Sequence, residues 1–288
     1  MRAGQQARRW RSALIKLART QPLGTLGLII CIVVIFLGVF APWVSRYDPF
    51  VTAPFDRLHG PSISHWMGTD EYGRDMYSRI VYGARVSLYV SFFSIAIGTF
   101  VGYLVGIFSG YVGGKADELL QRVVDAMLAF PSLLLALTIV SVLGAGLDKV
   151  IAAIAVTLAP RATRVARGVV LSVKENVYVD AARVVGASPI RIMVRHVLPN
   201  AMAPFLVLAS VALGAAILTE ASLSFLGLGV PPPHPSWGRM LSGAAQNLAL
   251  LAPWLMVFPG AAIMVLVLGF NLFGDTLRDI WDPKMRGR

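Results

Sequence analysis

Five stretches of this 288-residue sequence carry no charged residue: Leu23 to Ser45, Val86 to Gly114, Ala126 to Leu147, Val197 to Thr219 and Met240 to Gly274. A hydrocarbon core about 30 Å thick needs roughly 20 apolar helical residues per crossing, and a helix satisfies its own backbone there. Five crossings are therefore predicted. Val150 to Pro160 supplies a shorter sixth, followed by Arg161, Arg164 and Arg167 at a spacing of three. Long arginine stems at a helix end can reach back to the headgroups. The expected fold is all-α, a polytopic membrane protein of six transmembrane helices.

Composition agrees, since 56% of residues are hydrophobic and only 14% charged, against about 25% charged in an ordinary soluble domain. The net charge of +11 is read as topological, because the basic residues sit between apolar stretches; no nucleic-acid partner is expected. Six crossings put both termini on one side. That side holds 19 of the 26 Lys and Arg residues and the opposite side seven, so the termini and the 161–200 segment are expected to be cytoplasmic. The first run follows Arg8, Arg9, Arg11, Lys16 and Arg19, but it is too long for a signal peptide and is read as an uncleaved span. Cys31 is the only cysteine, which excludes an intrachain disulfide.

The resulting plan has a basic cytoplasmic tail (1–22), a first transmembrane helix (23–45) and an external segment (46–84). A membrane domain (85–274) with a cytoplasmic loop (176–200) and a cytoplasmic tail (275–288) complete it. In the loop, Val177, Ala181, Val184 and Val185 recur at helical spacing, and Gly186 can adopt the left-handed backbone that stops a helix. Ser188 then offers an N-cap with Pro189 at the first helical position. Ile190, Met193, Val194 and Val197 continue as a second apolar stripe as far as Pro199.

The spacing of this loop, Asp180-Ala181-Ala182, then Gly186, then His196-Val197-Leu198-Pro199, resembles the EAA loop of permeases of ATP-binding-cassette (ABC) importers. Asp180 stands where that family usually has glutamate, and His196 where it has isoleucine. Gly68 to Asp75, Ser78 to Leu88, Glu220 to Gly229 and Asn271 to Arg286 are similar to its dipeptide, oligopeptide and nickel branch. The resemblance implies the type I permease fold and a permease subunit that supplies half of a path for peptides or related small solutes. Asp180, Ala181, Ala182, Gly186, Leu198 and Pro199 would then couple it to ATPases. Its implied partners are a second homologous permease subunit, two cytoplasmic ABC ATPase subunits, an external solute-binding protein and membrane lipid, in a bacterial inner membrane.

No catalytic chemistry is expected of the chain itself. Ser109 to Ala116 lacks the glycine register and the Ser/Thr of a phosphate-cradling loop, and Leu241 to Gln246 only superficially resembles an ABC ATPase signature. HExxH and GxSxG patterns are absent, so no cofactor or metal is expected. Two carboxylates remain. Asp125 begins the third run, where it reads as a helix-end charge, and Glu220 sits deep in the fifth, either in a structural hydrogen bond or on a pore wall. A gradient-driven carrier would use these two groups, whereas a non-transporting anchor leaves the number of crossings without a purpose.

Overall fold

A computed structural model describes residues 21–245, 248 and 250–281 of the chain. The basic tail therefore lies almost wholly outside the described residues, as does the end of the tail after residue 274. The described residues are helical throughout apart from turns, loops and one isolated bridge between Thr69 and Asp75. In chain order the main helices are α1 (Pro22–Val39), α2 (Met76–Val112), α3 (Gly114–Ala129), α4 (Ser132–Leu143) and α5 (Leu147–Lys174). After them come α6 (Val177–Val184), α7 (Leu198–Phe225), α8 (Trp237–Ala245) and α9 (Trp254–Trp281).

The 37 residues of α2 give a rod about 55 Å long at 1.5 Å per residue, so it extends past a hydrocarbon core of about 30 Å. Asp75 caps its start, accepting from the Ser78 amide at 2.8 Å and the Ser78 hydroxyl at 2.7 Å. Gly113 and Gly114, with φ of 69° and 60°, release the chain at its end.

Along its length α2 lies against α5 with almost no side chain between the backbones. A Cβ on Gly98, Gly102 or Gly106 would overlap the carbonyl oxygen of Ala155, Ala159 or Thr163 respectively. The Thr163 hydroxyl donates to the Gly102 carbonyl at 3.0 Å. Lipid offers helices no hydrophobic reason to associate, so close backbone packing through small residues supplies the attraction instead. The same device joins α1 to α9, where a Cβ on Gly27 would fall 2.7 Å from the Gly269 carbonyl oxygen. Large apolar side chains point the other way: Ile29, Ile32 and Phe36 of α1 and Phe92, Phe100 and Phe108 of α2 are exposed, as a lipid-facing surface requires.

The expected spans need two corrections. Ala126 to Leu147 is not one straight crossing, because α3 and α4 meet at a 95° bend. Phe130 is extended there (ψ 137°), since a residue before proline is driven out of the helical region, and Pro131 follows. Alone, the 12 residues of α4 reach only about 18 Å. Met240 to Gly274 is likewise not one crossing: it contains the end of short α8, a loop, and then α9, which starts directly after Pro253.

Among the described residues, four helical stretches are long and apolar enough to cross a membrane, or five if the bent pair counts as one. The expected sixth, Val150 to Pro160, belongs to α5, which runs unbroken through Pro160 and carries Arg161, Arg164 and Arg167.

Candidate functional site: the segment between α5 and α7

The segment that follows α5 is built from local signals. Asn176 closes α5 by donating from Nδ2 to the Ser172 and Val173 carbonyls, both at 3.1 Å. Helix α6 begins one residue later, with Asp180 in its first turn accepting from Arg183 at 2.9 Å. At its end Gly186 takes φ of 80°, and the Ala187 amide donates to the Ala182 carbonyl at 3.0 Å. That pairing across a left-handed residue satisfies carbonyls that the helix end would leave bare.

The Ser188 hydroxyl then accepts from the Arg191 amide at 3.3 Å, with Pro189 at the start of the short turn Pro189–Ile192. A π turn, Met193–Val197, carries Arg195 and His196 and leads directly into α7. Pro199 does not end a helix, as the sequence reading had it. It lies inside one continuous helical run, Pro189–Phe225, directly after the π turn.

Three apolar side chains anchor the segment. Val179, Ile192 and Val197 are fully or almost fully buried beside Tyr103 and Ile107 of α2 and Val170 and Val173 of α5. Val179 lies off the stripe read from sequence, and the stripe itself points outward: Val177, Val184 and Val185 are 83%, 87% and 82% exposed, and Ile190 is 70% exposed. Asp180, Ala181, Gly186, Leu198 and Pro199 are also exposed and Ala182 half-buried, so the predicted residues lie on the accessible surface of the segment. The Asn200 amide reaches the Tyr178 hydroxyl at 3.4 Å and links the start of α7 to α6.

Charges hold this end of the bundle. Asp117 of α3 accepts from Arg167 of α5 through Nε at 2.7 Å and Nη2 at 2.6 Å, and Asp125 pairs with Arg164. Lys174 donates to the carbonyls of Gly110 and Tyr111, both at 3.1 Å. The Asp117–Arg167 pair escaped sequence reasoning, although arginines at a spacing of three were a visible signal. Glu220 is separate from all of this. It is fully buried in α7, and its carboxylate accepts from Ser87 of α2 at 2.8 Å and from Ser224 at 2.7 Å.

Long apolar helices stitched by small residues define a multi-pass membrane protein. The chain belongs to the family described as the inner membrane component of binding-protein-dependent transport systems, which matches residues 102–287. Residues 8–61 match the N-terminal transmembrane domain of oligopeptide transport permease C.

The chain is 46% identical to the dipeptide transport system permease protein DppC of Alkalihalophilus pseudofirmus, over 96% of this chain and 90% of that one. It is 42% identical to the glutathione transport system permease protein GsiD of Escherichia coli, over 93% and 89% of the two chains. A putative peptide transport system permease protein of Brucella suis is also 42% identical, over 91% and 88%. The protein is thus a multi-pass inner-membrane permease subunit of an importer, and its family is a membrane component and not an enzyme.

Proposed function

We propose that this permease supplies half of the translocation path of an ATP-driven importer of short peptides. A second homologous permease subunit completes the path. Two cytoplasmic ABC ATPase subunits drive it, and an external solute-binding protein delivers the solute. Membrane lipid surrounds six spans: α1, α2, the bent α3–α4 pair, α5, α7 and α9. The 28 residues of α5 reach about 42 Å, enough to cross despite its arginines. The excess of basic residues on the side of both termini supports a cytoplasmic position for them and for the 176–200 loop.

One observation carries the coupling role: Val177, Val184, Val185 and Ile190 stand exposed around the Gly186 turn while Val179, Ile192 and Val197 root the segment in the bundle. A partner ATPase that covers the first set moves the second, and with it α5 and α7. ATP then acts as a ligand that shifts the bundle between two states by rigid-body rocking. The peptide cargo is supported by the names of the relatives.

The experiment is uptake of a labelled dipeptide into sealed vesicles that contain the assembled complex, with dipeptide and binding protein outside and ATP inside, on the ATPase side. Uptake should stop when ATP is withdrawn and persist with an uncoupler. Uptake that collapses with the proton gradient while ATP remains would refute the reading and favour a carrier.

A further inference from the structure

At the end of the bundle away from the coupling segment, residues 46–75 fold over the start of α2. His65 meets Asp75 at 2.9 Å, Arg79 donates to the Pro49 carbonyl at 2.9 Å, and the Trp254 indole donates to the Thr69 carbonyl at 3.2 Å. Between this fold, the loop after α7 and α8 lies a cavity of about 370 Å³. Its floor includes the buried Met76, Ser224 and Leu255, and its rim includes the exposed Tyr72 and His234. The volume falls in the range of small-molecule sites, about 300–1,000 Å³.

The charges that line the cavity fall into two groups. Asp70 is saturated: it accepts from the Tyr72 and Arg74 amides at 2.8 and 2.9 Å and from Arg74 Nε at 2.7 Å. That set shapes the loop. Arg79, only 7% exposed, belongs with it: its Nε lies 3.4 Å from Asp70, and this nitrogen is buried out of reach of a solute in the cavity. Arg239 gives only a long 3.4 Å bond to the Val230 carbonyl, and neither it nor Glu71 has an oppositely charged partner within 4.0 Å among the described residues.

Glu71 Oε1 nevertheless lies 3.7 Å from where a Cβ on Gly243 would sit, one turn of α8 beyond Arg239. Residues four apart on a helix are neighbours about 5–6 Å apart at Cβ. A carboxylate and a guanidinium thus flank one cavity without closing on each other. Unpaired charges at a half-buried site cost stability, and a ligand that meets both offsets that cost.

We propose that this cavity is an entry site for a small zwitterionic solute such as a free short peptide, with the solute carboxylate on Arg239 and its ammonium group on Glu71. This assignment rests on the peptide-importer reading and adds the recognition chemistry that the permease itself would contribute.

The test uses the assembled complex in nanodiscs without binding protein, and glycyl-leucine, glycyl-leucinamide and N-acetyl-glycyl-leucine as probes. Saturable binding of glycyl-leucine is expected, with each blocked peptide at least about tenfold weaker, the usual loss for one charge-assisted hydrogen bond. Arg239→Gln should bind glycyl-leucine as weakly as its amide yet still discriminate against the acetylated peptide, and Glu71→Gln should show the reverse. Wild-type binding that ignores both blocking groups, or no saturable binding, would overturn the proposal without reference to any variant. So would variants that weaken all three probes equally, which marks a structural role, or an Arg239→Gln change that weakens only docking of the binding protein.

Uptake is scored separately with binding protein and ATP. Dipeptide uptake without cavity binding removes the entry site and leaves the importer reading. Cavity binding without uptake does the opposite.

Discussion

The seam between α2 and α5 and the segment between α5 and α7 use apolar residues in opposite ways. Along the seam the residues are small, and the backbones approach until a single Cβ on Gly102 would lie 2.8 Å from the Ala162 Cβ as well as on the Ala159 carbonyl. The segment uses large β-branched residues, and several remain uncovered by the described residues: Val184 and Val185 are more than four-fifths exposed. The first region is completed within one polypeptide. The second is apolar surface without a cover among the described residues, which is what the proposed coupling role requires. Stability of the subunit should therefore reside in the seam, and communication with partners in the segment.

The strongest test of that division is Gly102→Leu. A leucine there has no room without separating α2 from α5, at a cost of about 3 kcal/mol or more. The expected outcome is loss of monodisperse complex after extraction, read by size-exclusion chromatography. A normally assembled, transporting complex would show that the seam is more compliant than its geometry implies.

Gly186→Val should act on the other side of the comparison. A branched side chain at φ of 80° costs about 1–2 kcal/mol locally, and nothing lies within 4 Å to clash with it, so the subunit should assemble while α6 is turned. Transport should be abolished and ATP hydrolysis uncoupled from it. Gly186→Asn, which tolerates the left-handed conformation, should restore much of the activity. Wild-type uptake by the valine variant would remove the coupling role from this turn.

Glu220→Gln tests whether a buried polar group in the bundle behaves like the seam or like a working site. Its two hydroxyl partners can rotate to donate to or accept from an amide. A loss of about 1 kcal/mol in stability and ATP-dependent uptake within about threefold of wild type are expected. Uptake that disappears while assembly is intact would make Glu220 part of the transport path.

The smallest effect belongs to Gly168→Ala. Gly168 is in α5 but off the seam, exposed and with nothing within 4 Å of a new Cβ. The change should leave transport unaltered and raise stability by up to about 1 kcal/mol through helix propensity. Paired with Gly102→Leu, it separates glycines that let backbones meet from one that does not.

Much of the segment between α5 and α7 was legible because its signals are local. Gly186 stops α6 with a positive φ, Ser188 and Pro189 start the next turn, and both features need only the neighbouring few residues. The direction of the apolar stripe was not legible. Periodicity tells which residues share a helix face, but only the position of α2 and α5 decides whether that face is the anchored or the open one, and here Val179 is the anchor. The repeat Gly98, Gly102, Gly106, Gly110 was present in the sequence at a spacing of four but was absorbed into an apolar run. Hydropathy registers that a stretch enters lipid and is blind to how closely it can approach a neighbour.

By itself the sequence determined that the chain crosses a membrane several times as helices, because charge-free runs of this length have no other way to satisfy their backbone in lipid. It also determined where the segment after α5 turns, through residues whose backbone preferences act within a few positions. The break of the third apolar run at Phe130 has a local cause in Pro131, whereas tertiary structure alone decided that Ser87 meets Glu220 across 133 positions and that the seam runs through glycines. Those outcomes depend on which helices lie side by side, and pairing of distant elements is set by the fit of whole surfaces, which no local window contains.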